Sequence, residues 1–338
     1  MRRWLPLSET ILRMVVRTVP CPREAQADRL STLFPRGRPV ANRGRGEGVE
    51  EMSREVARVK AEVARCDAGP DATVVVYVAK MASVRAAELS PRDAVMLRDR
   101  GTGGPEGSDV MQSSASEGGS SSGFLSDGSG EVFMALARVY SGVLRRDCRL
   151  FALGHRYDCY SAADQDWKEG GGSDPPADLQ GLKPIPPNTF GMYMCFGPSV
   201  CAVDEVPAGN IVGIVGVHDS VMKTGTLTSS WKSVPMSSIT FQTKPVVRVA
   251  VEPSAHQDLA KLEAGLQQLY QYDPVVEVGV DSMGQHTLTC IGELHLEQCL
   301  KMLKDRFARW GLSVSWSVSN IRNGFAIATD VTSPLPSH

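Results

Sequence analysis

Apolar positions near the start of the chain are spaced for helices, with an irregular stretch between them. Hydrophobic residues between positions 4 and 19 recur three and four apart, which predicts an amphipathic helix that Pro20 and Pro22 bring to an end. From there to residue 48 the chain is rich in Arg, Gly and Pro without a period, which predicts an exposed connection. A second helical pattern covers residues 49–66.

Short β-branched and aromatic runs then replace the helical spacing. The run 71–80 predicts a buried strand, and the runs 132–140 and 149–153 on either side of Ser141-Gly142 predict a hairpin. Between them, residues 91–130 are dominated by Gly, Ser and Asp, which is typical of a disordered insertion. Further short strands are predicted at 190–196, 211–217 and 226–228, and strands at this spacing favour a β-barrel.

The pattern changes again at residue 243, where strands and helices alternate in the order βαββαβ. The two predicted helices, 258–271 and 293–309, each carry leucines on one face, so each can cover one face of a four-stranded sheet. This order predicts an α+β, ferredoxin-like domain. We therefore predict a multi-domain protein with four segments: linker helices at 1–70, a β-barrel at 71–242, the α+β domain at 243–316 and an atypical tail at 317–338.

Composition narrows the classes of function. The formal net charge is only -2, so a contact with nucleic acid would have to be local. The longest apolar runs are far shorter than the roughly 20 residues of a membrane span, and no signal peptide is predicted. The eight cysteines are scattered, which favours reduced thiols in a cytosolic protein over a disulfide framework.

Nucleotide-binding motifs are missing from the sequence. A P-loop needs a Gly-Lys pair so that backbone N–H groups and a lysine can hold phosphates, and no Gly-Lys pair occurs. The Asn-Lys-x-Asp motif that reads guanine is also missing. We therefore predict no catalytic and no cofactor-binding residue in this chain, and enzyme activity of the chain alone is not expected.

Three smaller groups of residues each allow both a functional and a purely structural interpretation. Cys290, His295 and Cys299 have spacing that suits zinc, but no fourth ligand is evident, so we expect core packing and predict no metal ligand. Gly284 and Gly292 flank a strand, and we expect both to supply turns that need a positive φ rather than a phosphate loop.

Five basic residues form the third group. They are either the solvated faces of their elements or contacts to RNA. An RNA-recognition motif also has βαββαβ order, yet strands 246–251 and 287–290 lack the aromatic residues on which bases would stack. The basic residues concerned are Arg145, Arg146, Lys301, Lys304 and Arg306.

Four segments of the chain resemble the translocase GTPases of the elongation factor G and elongation factor two class. The resemblance covers residues 1–316. It implies a C-terminal remnant of the GTPase domain with linker helices at 1–70, followed by the second and third domains of that family, without the nucleotide-binding part of the GTPase domain. The long polar insertion favours the ribosome-assembly branch, the elongation factor-like GTPases. The four segments are Trp4-Leu-Pro6 through Gln26, Val139-Tyr-Ser-Gly142 with Val206-Pro-Ala-Gly-Asn210, Lys244 to Pro253, and Gly292-Glu-Leu-His-Leu-Glu297.

The resemblance carries expectations about function. In the assembly branch the intact protein acts in late cytoplasmic maturation of the large ribosomal subunit, where it uses GTP and magnesium to release an anti-association factor together with the Shwachman-Bodian-Diamond protein. This chain would relay conformational change, with the large subunit and its RNA as partners, a cytoplasmic location and no membrane. A segment of a translation elongation factor two and a non-catalytic RNA-binding or adaptor module are the alternatives.

Overall fold

The N-terminal part of the chain is helical. The computed structural model describes residues 7–34, 47–102, 131–162, 175, 179–197, 199–238, 245–253, 258–282, 284–307 and 314–318. The first three helices are α1 (Leu7–Thr18), α2 (Pro22–Leu33) and α3 (Glu47–Arg65). The predicted exposed connection is therefore wrong over 22–33. Pro22 begins a helix rather than ending one, because a missing N–H is tolerated in the first helical turn, and the backbone N–H of Cys21 donates to Glu24 Oε2 at 3.3 Å.

Helix α2 is fixed to its neighbours by one buried amide. Gln26 is 2% exposed, and its Nε2 donates to the carbonyl oxygens of Val63, at 2.6 Å, and Tyr140, at 3.0 Å. These bonds connect α2 both to α3 and to the strand that contains Tyr140. Helix α1 differs from α2, since none of its residues is buried.

An antiparallel sheet of eight strands forms the middle of the molecule, in the order β5-β4-β10-β1-β2-β9-β6-β7. Its core is made largely of valine, leucine, methionine and phenylalanine side chains, and strands β4 and β10 are buried at every position. Strands β3 and β8 pair separately. The strands are β1 (Val75–Arg85), β2 (Glu131–Ser141), β3 (Val143–Arg145), β4 (Leu150–Leu153), β5 (Leu182–Ile185), β6 (Gly191–Phe196), β7 (Ser199–Ala202), β8 (Glu205–Pro207), β9 (Ile211–Val215) and β10 (Gly225–Thr228).

The predicted hairpin between β2 and β4 is wrong. Strand β2 pairs with β1 and β9, whereas β4 pairs with β10 and β5. The turn after β2 directs the chain into β3, which pairs with β8. Gly142 is required at this turn, because its φ is +74° and a Cβ there would lie 2.8 Å from the Cα of Val74. Two short 3-10 helices, Ala86–Glu88 and Cys159–Ala162, complete this part of the chain.

The segment predicted as a disordered insertion begins with a helix, α4 (Pro91–Thr102). Its Leu97 is 1% exposed and its Asp93 carboxylate is fully buried. Arg146 donates to the two Asp93 oxygens at 2.6 and 2.9 Å, and the Tyr193 hydroxyl donates to the same carboxylate. Tertiary contacts therefore order a segment of weak apolar pattern, and the prediction is wrong over 91–102. Residues 103–130 lie outside the described residues.

A second, four-stranded antiparallel sheet lies toward the C-terminus, in the order β12-β13-β11-β14. Helices α5 and α6 separate its strands in the predicted βαββαβ order, and α6 continues into a π-helical turn at Leu303–Phe307. The predicted tail beyond residue 318 lies outside the described residues. The elements are β11 (Val247–Pro253), α5 (Leu259–Tyr272), β12 (Glu277–Val280), β13 (His286–Cys290), α6 (Glu293–Met302) and β14 (Val314–Val318).

Candidate functional site at the domain interface

Apolar side chains of the two sheet units meet in one continuous core. Val217 and Val221, which follow β9, belong to the same buried cluster as Leu262, Leu266 and Leu269 of α5. All five are at most 3% exposed. The hydrophobic face of α5 thus covers more than its own sheet, and its burial stabilises the contact between the units.

Gln271, at the end of α5, crosses from the C-terminal unit to the larger sheet unit. Its Nε2 donates to the carbonyl oxygens of His218, at 2.7 Å, and Val221, at 3.1 Å. The side chain is 8% exposed. A buried amide that satisfies two backbone acceptors fixes the distance between the segments that carry them, because losing it would leave both carbonyls without this donor.

Lys223 reaches in the opposite direction. Its Nζ donates to the carbonyl oxygen of Val276 at 2.5 Å, lies 3.5 Å from that of Pro274, and is 3.6 Å from the centroid of the Tyr270 ring. Burial lowers the pKa of Lys223 to about 8, although the nearby carboxylates of Asp273 and Glu277 raise it. A lysine that is half-buried among carbonyls and an aromatic face couples the two units electrostatically.

Arg306, in the π-helical turn, makes a third contact between the units. Its guanidinium donates to Glu131 and, at 3.3 Å, to the Ser83 hydroxyl, both on strands of the larger sheet. The same group lies 5.7 Å from the Tyr272 ring centroid and 5.9 Å from that of Phe307. Arg306, for which the sequence left a solvated helix face and an RNA contact open, therefore lies in the interface between the two units.

The remaining basic candidates are divided between structural and exposed positions. Arg146 is committed to the buried Asp93 carboxylate, and Arg145 forms an exposed pair with Glu205 at 3.1 Å. Lys301 and Lys304 are exposed and remain available for a negatively charged surface. The structure thus does not bring the five predicted basic residues together on one face.

A compact thiol and imidazole cluster lies at the junction of β13 and α6. Ligand atoms of Cys290, His295 and Cys299 lie within 4.8 Å of one another. The hydrogen bond between the two thiols lowers the pKa of Cys290, and the same bond together with burial raises the pKa of Cys299. Sequence reasoning missed Asp273, whose Oδ2 lies 2.9 Å from His295 Nε2, because the two residues are far apart in the chain.

Asp273 is held as a carboxylate in this cluster. Burial alone would raise the pKa of Asp273, but hydrogen bonds from His295 and the backbone N–H groups of Val275 and Val276 bring that pKa below its usual value. The two glycines that flank β13 adopt different backbone conformations. Gly284 has a φ of +83°, as predicted for a turn, whereas Gly292 has an extended φ of -171° at the start of α6, so the prediction for Gly292 is wrong.

The sequence motifs 139–142 and 206–210 meet through backbone hydrogen bonds. The backbone N–H of Ala208 donates to Gly142 O at 3.0 Å, and that of Gly209 donates to Val139 O at 2.8 Å. Gly209 has a φ of +91°, and a Cβ there would lie 3.2 Å from the Cys66 sulfur. The motifs around 139–142 and 206–210 are thus two sides of one backbone junction.

The sequence matches one family model and several curated proteins. Residues 243–309 match the family model "Elongation Factor G, domain III". The human protein named Elongation factor-like GTPase 1 is 30% identical, over 93% of this chain and 30% of its own length. Ribosome assembly protein 1 of Schizosaccharomyces pombe is 28% identical over the same shares. The Saccharomyces cerevisiae protein of that name is 35% identical over 60% of this chain and 17% of its own.

The chain corresponds to only part of the longer proteins that it matches. The chain spans 30% of the length of the human and fission yeast relatives. None of the helices in the described part of the chain is both long and apolar enough to cross a membrane. Residues 243–309 of the chain therefore form a third domain of the elongation factor G type, and along 93% of its length the chain is similar to the proteins named Elongation factor-like GTPase 1 and Ribosome assembly protein 1.

Proposed function

We propose that this chain is the relay segment of a ribosome-assembly GTPase that acts in late cytoplasmic maturation of the large ribosomal subunit. The observation that carries the proposal is the similarity, along 93% of the chain, to proteins named Elongation factor-like GTPase 1 and Ribosome assembly protein 1. In this role the chain itself does no chemistry. It transmits a nucleotide-dependent state between other parts of a longer protein.

The finer architecture belongs to the same proposal. The larger sheet would be a translation-factor barrel, and the C-terminal unit a ferredoxin-like domain. The strand order β12-β13-β11-β14 supports the second assignment, because the two strands joined through α5 are not neighbours and a split βαβ arrangement has this property.

The domain interface supports the relay. Gln271, Lys223 and Arg306 each bond across it, so a rotation of one unit has to move the other or break buried polar contacts. GTP and magnesium would bind to residues of the longer protein, since this sequence has no Gly-Lys pair for a P-loop. The proposed partners are the large subunit and its RNA, the Shwachman-Bodian-Diamond protein and an anti-association factor.

A role as a segment of a translation elongation factor two is the second candidate. The long Gly- and Ser-rich sequence at 103–130, between α4 and β2, favours the assembly role instead. In the elongation branch, the two strands that correspond to β1 and β2 are joined by a short connection. A stand-alone RNA-binding module is disfavoured by strands β11 and β13, which carry no aromatic residue for base stacking.

Sedimentation with purified ribosomal subunits tests the proposal. We expect the full chain to co-sediment with large subunits and not with small subunits, and the complex to weaken as salt rises, because phosphate contacts are screened. Naked ribosomal RNA is the control for unspecific binding. Equal binding to small subunits or to naked RNA would overturn the proposal, as would GTP turnover by this chain above background.

A further inference from the structure

The cluster of Cys290, His295 and Cys299 is built on rigid elements. Cys290 ends strand β13, while His295 and Cys299 lie one turn apart on the same face of α6. Their ligand atoms lie within 4.8 Å of one another. Both cysteines are fully buried and the His295 side chain is 22% exposed, so the cluster is closed on the sulfur side and open to solvent at the imidazole.

Hydrogen bonds fix the orientation and the tautomer of His295. Its Nδ1 accepts from the backbone N–H of Ile291 at 3.2 Å, so the proton of the neutral ring is on Nε2. That nitrogen donates to Asp273 Oδ2 at 2.9 Å. Asp273 is in turn held by the backbone N–H groups of Val275, at 2.9 Å, and Val276, at 3.3 Å. A carboxylate that holds the second nitrogen is the usual support of a metal-binding histidine.

We propose that Cys290 Sγ, Cys299 Sγ and His295 Nδ1 form a zinc-binding site, with Asp273 as the residue that positions the imidazole and water in the fourth place. On binding, the two thiols release their protons to solvent, and the Ile291 N–H gives up its bond to Nδ1. Two thiolates balance the charge of Zn²⁺, which lets the ion occupy a buried position. Sulfur and nitrogen ligands favour zinc over magnesium or calcium.

Packing alone is the plainer interpretation, and it explains part of the cluster. It accounts for two buried thiols at a strand-helix junction, because free cysteine behaves as a small hydrophobic residue. The hydrogen bonds to Ile291 and Asp273 account for the orientation of the imidazole, but neither they nor packing require it to lie within 4.8 Å of both thiols. Asp273 adds what the sequence pattern did not show, a carboxylate that holds the His295 ring in place, while the fourth ligand position is left to water.

Cobalt substitution tests the site directly. We expect the reduced, chelator-treated full chain to bind one Co²⁺, with thiolate-to-cobalt charge-transfer absorption that Zn²⁺ abolishes by displacement. Cys290→Ala and Cys299→Ser should each remove this absorption. Cys201→Ser, at an exposed thiol away from the cluster, is the matched control and should leave the absorption unchanged. Asp273→Asn should weaken zinc binding roughly 10–100-fold and keep the absorption, since Asp273 acts through His295.

A second measurement uses the unaltered chain and avoids variants that fail to fold. Thiol alkylation followed by peptide mass mapping should become slower at Cys290 and Cys299 when Zn²⁺ is present, and should stay unchanged at Cys201. Absence of charge-transfer absorption, its persistence in Cys299→Ser, or equal alkylation with and without Zn²⁺ would each overturn the proposal. These outcomes are independent of ribosome binding.

Discussion

Helices α1 and α5 have similar amphipathic patterns but opposite environments. In α5, Leu262, Leu266 and Leu269 are at most 2% exposed, because they pack against the β-sheet and the neighbouring unit. In α1, Leu12 is 64% exposed and Val16 is 82% exposed. A periodic pattern therefore predicts a helix, whereas the partner surface decides whether its apolar face contributes to stability.

The polar ends of the two helices differ in the same way. Gln271 lies in the last turn of α5 and Asp273 directly follows the helix, and both bond to groups outside it. In α1 the Arg13 guanidinium contacts Glu9 of the same helix at 2.6 Å, with both side chains more than half exposed. A pair of this kind stabilises the helix locally by a few tenths of a kcal/mol and fixes no neighbour.

The largest effect is expected from a cavity under α5. Leu269→Ala should lower the free energy of unfolding by about 2–5 kcal/mol, because Leu269 is fully buried and the surrounding side chains cannot collapse completely. Urea unfolding followed by circular dichroism measures the change. A loss of less than about 1 kcal/mol would mean that α5 is not anchored by its apolar face.

An intermediate effect is expected at the polar end of α5. Gln271→Ala should destabilise the chain by about 1–3 kcal/mol, since the carbonyls of His218 and Val221 lose their buried donor. Gln267→Ala, at an exposed position of the same helix, is the matched control. The same urea titration applies, and equal values for the two variants would show that water replaces the Gln271 amide without cost.

A pH-dependent effect is expected where Lys223 lies over Tyr270 of α5. The folded pKa of about 8 is below the unfolded value of 10.5, so the unfolded chain binds more protons between these pH values. The contribution of Lys223 to stability should therefore rise between pH 8 and 10.5, by about 1–2 kcal/mol after allowance for solvent screening.

The difference in unfolding free energy between the unaltered chain and Lys223→Met isolates this effect, because other groups titrate in both proteins. Lys261→Met, at an exposed lysine of α5, provides the control comparison. A difference that stays constant across this pH range would contradict the buried position of the Lys223 ammonium group.

Sequence patterns predicted those elements whose burial is periodic. The strand predicted at 286–290 has the bounds of β13, and the apolar face of α5 was predicted from its leucines. The sequence did not predict correctly which strands of the larger sheet pair with each other. The hairpin between β2 and β4 was wrong, because Gly142 determines a turn but no local signal determines that β3 pairs with β8.

Long-range polar contacts explain what else was missed. Helix α4 has a weak apolar pattern, and it is ordered through Asp93 and Arg146, which are distant in sequence. The candidate sites share this property, since Lys223 meets Val276, and Asp273 meets His295, only after folding. The sequence shows that these polar residues lie next to apolar segments, but it does not show their partners, which depend on the tertiary structure.

The smallest effect is expected in α1. Leu12→Ala should change the free energy of unfolding by at most about 0.5 kcal/mol, because Leu12 is 64% exposed and alanine has the higher helix propensity. Comparison with Leu269→Ala, the same substitution in a second amphipathic helix, then separates the effect of the apolar pattern from the effect of burial. A loss of 2 kcal/mol or more at Leu12, on the order of a core deletion, would show that α1 packs against a surface in solution and that the two helices are alike.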